Sequence, residues 1–216
     1  KGIVVDNNVF TTLAFVTLDE NGEREFSFAR KPGADTMLCY KEVNVDLIRE
    51  AKVFHIGSLP LTDEPVRTTT FQAVKEVRKY GAVISYDPNY REPLWENRET
   101  AMERMQSILP LVDIMKLSDE ETDLLTPYSK PEDAADYLLG TGIKIVAVTL
   151  GKDGVLICNQ DEKRKVSGFT SNVVDTTGAG DAFWGGFVSQ LIKSGKTPDE
   201  LAIEDLAVFA RSGNAV

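Results

Sequence analysis

Short apolar stretches alternate with longer stretches of helical periodicity from about residue 43 onward, and this alternation restricts the possible folds more than any other feature. The predicted strands are 52–56, 82–86, 112–116 and 145–149, and the predicted helices are 45–51, 65–80, 97–109 and 131–139. Apolar strands separated by amphipathic helices indicate βαβ units, which form a mostly parallel sheet with helices on both faces. The sequence therefore predicts an α/β fold, followed by a hairpin-like strand pair at 155–159 and 163–167.

The beginning of the chain follows a different pattern. Two strand-like runs, 11–18 and 23–29, are joined by a polar segment that ends in Asn21-Gly22. An Asn-Gly pair between two such runs is a strong signal for a β-hairpin. The second run alternates polar and apolar residues, so we expect one of its faces to be covered and the other to be wet.

Polar residues follow four predicted strands at the point where each strand ends, after Tyr86, Lys116, Thr149 and Val174. The carboxyl ends of parallel strands meet at one edge of a sheet, and ligands of open α/β sheets bind in the crevice outside that edge. We therefore expect the functional site of this chain to lie there.

The last of these strand ends leads into the segment 175–183, Asp-Thr-Thr-Gly-Ala-Gly-Asp-Ala-Phe, in which a glycine turn precedes a helix predicted to begin at Asp181. The first N–H groups of a helix have no partner within the helix, and the helix dipole favours negative charge there. Gly178 and Gly180 carry no Cβ, so the backbone can approach an anion such as phosphate closely.

Asp181 is unexpected at such a site, because its carboxylate repels the anions that the site attracts. The local sequence leaves two interpretations open. Asp181 either caps the helix, as Asp often does, or acts as a general base. As a base it would take the proton from a hydroxyl group that attacks a phosphoryl group.

Charge and cysteine content exclude several classes of partner. The formal net charge is −10 and no run of Lys or Arg forms a basic stripe, so neither nucleic acid nor an anionic membrane is an expected partner. No apolar run approaches the length of a membrane span, and we expect no signal peptide. Cys39 and Cys158 have no metal-ligand spacing and fit a reducing compartment, so we expect a cytoplasmic protein.

Three motifs that suggest other functions do not meet their requirements. The segment 194–197 resembles the end of a phosphate-binding loop, but Gln190 stands where the first glycine is needed and the segment follows a helix. A dinucleotide fingerprint that starts at Gly178 has Phe183 at its third glycine position, which leaves a dehydrogenase as the third hypothesis. His55, the single histidine, is expected to be structural, so a Ser/His/Asp triad is not available.

Two strand ends carry residues suited to nucleotide and metal binding. The turn after the strand 145–149 contains Gly151 and Gly154, where a nucleotide could approach the backbone. Three consecutive acids, 119–121, follow Ser118, although acids at a helix start are also common because of the dipole alone. Since the chain offers no tight group of ligands here, a metal is expected to be Mg²⁺ held through water and phosphate.

The combination of these motifs resembles the ribokinase-like (PfkB) family of carbohydrate kinases. The segment 175–183 is similar to the C-terminal signature of that family. The upstream segments that follow the family's order are 30–35, Asp87-x-Asn89-x-Arg91, Lys116-x-Ser118-x-x-Glu121 and Thr149-x-Gly151-x-x-Gly154. The segments 31–35 and 87–91 are most similar to the fructokinase branch. The resemblance covers nearly the whole chain and implies a ribokinase-like α/β fold, with a mostly parallel central sheet and a small β lid.

The resemblance implies catalytic roles for the residues that match the family's motifs. Asp181 corresponds to the base that deprotonates a sugar hydroxyl. Gly178, Ala179 and Gly180 correspond to the anion hole around the transferred phosphoryl group. Glu121 corresponds to the acid that organises Mg²⁺ and its water ligands.

The resemblance also implies several ligand-binding residues. The backbone around Asp175 and Thr177 corresponds to the site of a monovalent cation such as K⁺. The residues that match the ATP-binding edge are Lys116, Ser118, Thr149, Gly151 and Gly154. The residues that match the polar lining of the sugar site are Arg30, Asn89 and Arg91.

The hairpin at about 11–29 corresponds to part of the lid over the sugar. On this basis residues 1–36 are expected to belong to the lid, and residues 37–216 to the nucleotide-binding and catalytic core. A closed lid excludes water that would compete with the sugar hydroxyl. The exposed, alternating face of the hairpin could pair with the lid of a second copy, so we expect a homodimer.

The chain departs from the family pattern in three places. Ser118 and Arg211 stand where the family has asparagine, the latter at a nucleotide contact. The family's first strands, with a sugar-binding Asp and a Gly-Gly motif, and its last stretch are not matched. Since the chain also begins at Lys1 without methionine, we expect it to be a fragment that is incomplete at both ends.

The favoured hypothesis is therefore an ATP-dependent sugar kinase that phosphorylates a terminal hydroxyl of fructose. Kinases of the same family that act on 2-keto-3-deoxygluconate, ribose or a nucleoside are the nearest alternatives. A non-catalytic module that binds a nucleotide or a sugar is the alternative of a different class.

Overall fold

The structure, a computed structural model, describes residues 2–18, 24–170 and 176–216. Its strands are β1 Leu13–Leu18, β2 Arg24–Ala29, β3 Val53–Ile56, β4 Val83–Tyr86, β5 Ile114–Ser118, β6 Ile145–Thr149, β7 Val155–Cys158 and β8 Lys163–Val166. Its α-helices are α1 Val45–Arg49, α2 Val66–Arg78, α3 Arg98–Ser107, α4 Thr122–Leu125, α5 Pro131–Gly140, α6 Ala179–Ser194 and α7 Ile203–Asn214. Short 3₁₀ turns lie at Ala34–Thr36, Tyr40–Glu42, Leu59–Leu61, Glu92–Leu94, Leu109–Leu111, Asp119–Glu121, Gly151–Asp153 and Pro198–Glu200.

The strands form two sheets. β1 and β2 pair in antiparallel fashion as a separate two-stranded sheet, with Leu13 opposite Ala29, and this confirms the predicted pairing of the two runs. The connection that contains Asn21-Gly22 lies outside the described residues. β3 to β8 form a six-stranded sheet in chain order, in which β3 to β6 are parallel and β7 and β8 are antiparallel. The predicted α/β sheet with an added hairpin is therefore confirmed.

Helices cover both faces of the larger sheet, as predicted. Successive side chains of a strand point to opposite faces, so each strand contributes alternate residues to two clusters. The cluster shared with α2, α3 and α5 includes the sheet residues Ile84, Tyr86, Met115, Leu117, Val146 and Val148. The cluster shared with α6 and α7 includes the sheet residues Ile114, Ile145, Ala147, Val155 and Ile157.

Three elements begin two residues away from their predicted starts, and the first of them is β1, which begins at Leu13 rather than at 11. β5 begins at Ile114 rather than at 112, because a 3₁₀ turn at Leu109–Leu111 precedes it and the Asp113 carboxylate accepts a hydrogen bond from the Ile84 N–H at 2.7 Å. α6 begins at Ala179 rather than at 181, because Gly178 is the N-cap. The strand predicted to end at 174 lies outside the described residues.

The described helices and the two cysteines have the following properties. None of the helices in the described ranges is long and apolar enough to cross a membrane. Cys39 and Cys158 carry free thiols. Burial raises the pKa of the Cys158 thiol to about 12, which keeps this side chain protonated and chemically inert at neutral pH.

Arg30 follows β2 and connects the hairpin to the loop between β3 and α2. Its side chain is buried, and Nη2 forms an ion pair with Asp35 at 2.7 Å and donates to the Leu59 carbonyl at 3.0 Å. Nη1 donates to the Thr62 hydroxyl at 2.7 Å and lies 3.5 Å from the Asp63 carboxylate. This single guanidinium therefore links the hairpin to the segment that precedes α2.

Replacing Arg30 with methionine is expected to lower the free energy of unfolding by about 2–4 kcal/mol, because several charge-assisted hydrogen bonds are lost and their acceptors are left unpaired. Urea denaturation followed by circular dichroism measures this change. The matched control is Lys31→Met, since Lys31 is exposed and lies 3.9 Å from Asp63, so its loss should cost less than about 0.5 kcal/mol. Equal losses of unfolding free energy in the two variants would show that the buried contacts of Arg30 add nothing to stability.

Candidate active site

A buried ion pair lies at the carboxyl edge of the larger sheet. Asp87 follows β4, and its Oδ2 accepts a hydrogen bond from the Lys116 Nζ of β5 at 3.0 Å. The alternation of β4 places Ser85 and Asp87 on the same face, toward α6. On that face the indole N–H of Trp184 donates to the Ser85 hydroxyl at 2.8 Å. The ion pair therefore faces α6.

The start of α6 is open at this edge. Gly178 is the N-cap with φ = +76°, a conformation that glycine adopts without the steric cost of a Cβ. No described side chain caps the helix, and its first intrahelical donor is the Ala182 N–H, which bonds the Gly178 carbonyl at 2.8 Å. The N–H groups of Gly180 and Asp181 precede that donor and have no intrahelical acceptor. These groups are suited to an anion.

Asp181 is the third residue of α6 and not its N-cap, so the capping interpretation of this residue is wrong. Its Oδ1 lies 3.4 Å from the side-chain Nδ2 of Asn89, and the Asp181 side chain is exposed. An accessible carboxylate beside open helix amides can accept a proton from a hydroxyl group that is bound between them.

Glycine is favoured at position 180 for a different reason from position 178. A Cβ on Gly178 would meet no atom within 4 Å, so only its backbone conformation favours glycine. A Cβ on Gly180 would lie 2.9 Å from the Lys116 Nζ. The missing side chain at position 180 therefore allows the ammonium group to lie against the first turn of α6.

Glu121 joins the loops that follow β4 and β5. Its side chain is buried; Oε1 accepts from the Tyr90 N–H at 2.7 Å, and Oε2 accepts from the N–H and the hydroxyl of Ser118 at 2.8 and 3.0 Å. Ser118 is thus the N-cap of the turn that contains Glu121, and the two residues form a capping box.

Negative charge exceeds positive charge around the ion pair. Burial raises the pKa of the Asp87 carboxyl to about 6; the charges of Glu121 and Asp181 act in the same direction, and Lys116 opposes them. Burial also lowers the pKa of His55, whose Nδ1 lies 2.9 Å from the Ser85 hydroxyl. A cation that enters with an anionic ligand would offset this excess.

The described residues contain no group of three His, Cys, Asp or Glu side chains that could hold a metal ion directly. A divalent cation at this edge would therefore take most of its ligands from water and phosphate, as Mg²⁺ commonly does. The surplus of carboxylates at the edge fits such a cation.

The residues predicted to form the nucleotide edge lie on the next strand. Thr149 is paired with Ser118 across β5 and β6. Gly151 has φ = +53°, and a Cβ there would meet no atom within 4 Å, so its backbone is accessible. Gly154 has φ = +94° and packs against the backbone of 166–168, which covers the face where its side chain would be.

The remaining predicted residues lie farther apart. The Arg91 guanidinium lies 5.3 Å from the centre of the Phe26 ring and so connects the loop after β4 to β2. Arg30 is engaged between the hairpin and the core, which favours a structural role, and its sugar-binding role stays a prediction. Thr177 is exposed in the turn before α6, and Asp175 lies outside the described residues.

Sequence reasoning gave no role to two side chains of this region. The motif 87–91 by itself assigns no role to Asp87, although its position two residues after Ser85 places it on the face that packs against α6. The ring of Phe169 lies 4.8 Å below the guanidinium of Arg211, one of the residues that depart from the family pattern. No sequence signal pointed to this stacking.

Comparison with known proteins agrees with the geometry. A family model described as pfkB family carbohydrate kinase matches residues 1–215. "Probable fructokinase-5" of Arabidopsis thaliana is 42% identical over 218 residues, which cover 100% of this chain and 67% of that protein. The chain spans 59% to 67% of the length of the curated relatives that it matches.

Two solved structures are similar over nearly the whole chain. Fructokinase with bound ATP from Xylella fastidiosa has a TM-score of 0.88 and 31% identity, over 98% of this chain and 67% of that one. Fructokinase from Vibrio cholerae O395 in its fructose-, ADP- and calcium-bound form has a TM-score of 0.82 and 30% identity, over 93% of this chain and 64% of that one.

Proposed function

Since the chain belongs to the pfkB family of carbohydrate kinases and has the ribokinase-like fold, we propose that it carries the catalytic core of an ATP-dependent fructokinase. The observation that carries the proposal is the position of Asp181, an exposed carboxylate in the first turn of α6 beside amides that have no intrahelical acceptor. Fructose is the favoured acceptor because the curated relative and the two solved structures reported above are fructokinases by name.

Phosphoryl transfer at this site proceeds by proton removal and charge stabilisation. Asp181 takes the proton of the sugar hydroxyl as the hydroxyl oxygen bonds to the γ-phosphorus of ATP, and the bond to the bridging oxygen of ADP breaks. The open N–H groups of Gly180 and Asp181, which follow the turn of Gly178 and Ala179, stabilise the negative charge on the transferred group. Donors of this kind are each worth roughly 10²–10³ in rate, by analogy with oxyanion holes.

Magnesium would neutralise charge on the phosphate oxygens when it is bound. We propose that Glu121 organises its water ligands, and that Thr149, Ser118 and the Gly151 turn form the nucleotide edge. A monovalent cation near Asp175 and Thr177 is part of the same proposal.

The hairpin of β1 and β2 is proposed to act as part of a lid, with residues 1–36 belonging to it and residues 37–216 to the core. Leu13 and Phe15 lie on one face of β1 and are about half exposed, which supports a homodimer formed through this face. A cytoplasmic location is proposed from the two free thiols.

The full-length gene product tests the function in an ADP-release assay with fructose, 2-keto-3-deoxygluconate, ribose and nucleosides as acceptors. We expect the highest kcat/KM with fructose. A higher value with another acceptor would assign the protein to one of the alternative kinases. ATP binding without ADP release for any acceptor would indicate a non-catalytic module, and tight NAD binding would favour a dehydrogenase.

A further inference from the structure

We propose that Asp87 is a positioning residue for the catalytic centre. It is 3% exposed, and the kinase function proposed above supplies the reaction in which it would act. One carboxylate oxygen holds the loop that carries Asn89, and the other holds the Lys116 ammonium group. Through these two contacts Asp87 positions the Asn89 side chain beside Asp181 and the Lys116 ammonium group beside the first turn of α6.

The first contact fixes Asn89. The Asp87 Oδ1 accepts from the Asn89 N–H at 3.2 Å, a local bond that Asp commonly makes to the backbone two residues later. Asn89 has φ = +45°, and it is the one described residue other than glycine with a positive φ. In this conformation its Nδ2 lies 3.4 Å from Oδ1 of Asp181. An amide donor on one oxygen orients the carboxylate and leaves the other oxygen for the sugar hydroxyl.

The second contact fixes Lys116. Its ammonium group lies against Gly180, at the end of α6 where the helix dipole disfavours positive charge. The Asp87 Oδ2, 3.0 Å away, offsets that cost. Lys116 and the open amides of the first turn then present positive charge to the same small region. We assign Lys116 to the phosphoryl group that is being transferred, with Asp87 as its holder.

The charge of Asp87 makes this arrangement sensitive to pH. The charged groups that face it are Lys116 from β5, Glu121 from the turn after β5 and Asp181 from α6, with His55 nearby on β3. Its pKa is raised to about 6, mainly by burial. Above that pH the carboxylate holds the ammonium group, and below it the protonated form releases the group. We therefore expect kcat to fall as the pH is lowered through about 6.

The test compares Asp87→Asn with the wild-type full-length gene product in the ADP-release assay between pH 5 and 8. Asparagine keeps an acceptor for the Asn89 N–H but loses the charge that holds Lys116. We expect kcat to fall about 10–100-fold at neutral pH, as small misplacements of catalytic groups do, and to become independent of pH near 6. Asp113→Asn is the matched control, since Asp113 precedes β5 at the opposite edge of the sheet, and its profile should match the wild type.

A double-mutant cycle with Lys116→Met separates positioning from general damage. If Asp87 acts through Lys116, the double variant should lose no more activity than Lys116→Met alone, because Asp87 has no ammonium group left to hold once Lys116 is replaced. The double variant also contains no unpaired buried charge, so it carries the test if Asp87→Asn fails to fold. The proposal would be overturned if the losses in kcat of the two single variants multiplied in the double variant. It would also be overturned if the Asp87→Asn enzyme kept the wild-type kcat and still lost activity below about pH 6.

Crystal structures of the wild type and of Asp87→Asn give a readout that does not depend on activity. We expect the Lys116 ammonium group to leave Gly180 in the variant, and an unmoved ammonium group would contradict the proposal. A wild-type protein that phosphorylates no acceptor would refute the kinase function, whereas these two structures would still decide whether Asp87 positions Lys116.

Discussion

Replacing Asp181 with asparagine is expected to lower kcat by about 10²–10⁴-fold while leaving ATP affinity nearly unchanged. The amide has the shape of the carboxylate but cannot take the proton of the attacking hydroxyl, and general-base catalysis is typically worth this factor. The ADP-release assay measures kcat, and isothermal titration with ATP measures affinity in the absence of sugar.

Asp205→Asn is the control for this substitution. Asp205 is also the third residue of its helix, α7, but it lies on the surface and pairs with Lys196 at 2.7 Å. Loss of an acid at this helical position should by itself cost less than about 1 kcal/mol of stability and should not affect turnover. Equal turnover in the Asp181 and Asp205 variants would refute the assignment of Asp181 as the base.

Replacing Gly180 with alanine is expected to lower kcat by about 10²-fold. The added Cβ would lie 2.9 Å from the Lys116 Nζ, so the ammonium group would have to shift, and we expect this shift to disturb its bond to Asp87. A displacement of about 1 Å at a catalytic group can cost this much. Alanine is a better helix former than glycine, so the stability of the variant should change little.

Gly185→Ala provides the comparison in the same helix. A Cβ at position 185 would meet no atom within 4 Å, so we expect normal turnover and a gain of about 0.5–1 kcal/mol in the free energy of unfolding. Kinetic assays and urea denaturation of both variants measure these effects. The interpretation of Gly180 fails if the two alanine variants turn over at the same rate.

The fold was predictable because its signals are local. The pattern of apolar residues within a single segment indicates its secondary structure, as in the predicted strands 82–86 and 145–149 and the predicted helix 65–80. The start of β5 was not predictable from the sequence. Asp113 lies outside the strand, where its side chain accepts a hydrogen bond from the Ile84 N–H of β4, and this contact is not visible in the local sequence. Such a contact joins residues 29 positions apart, and no periodicity in one segment reports it.

The candidate site was predictable in part. Topology brings the ends of parallel strands to one edge, so the proximity of Asn89 and Lys116 follows from the parallel pairing of β4 and β5. The alternation of β4 could also have placed Asp87 on the face toward α6. The contact between Lys116 and Gly180 could not be predicted, because it depends on the distance between a strand and a helix that are 64 positions apart in the chain.

Trp184 follows Asp181 by three residues, so the two lie about one turn apart on the same side of α6. Its buried indole N–H is bonded to the Ser85 hydroxyl in β4. The helix cannot rotate about its own axis without breaking this bond, and any such rotation would carry the carboxylate of Asp181 away from the sheet edge. A core aromatic residue thereby sets the rotational register of the helix that carries the proposed base, so conservation of Trp184 among relatives would reflect the direction of the Asp181 side chain as well as the packing of the core.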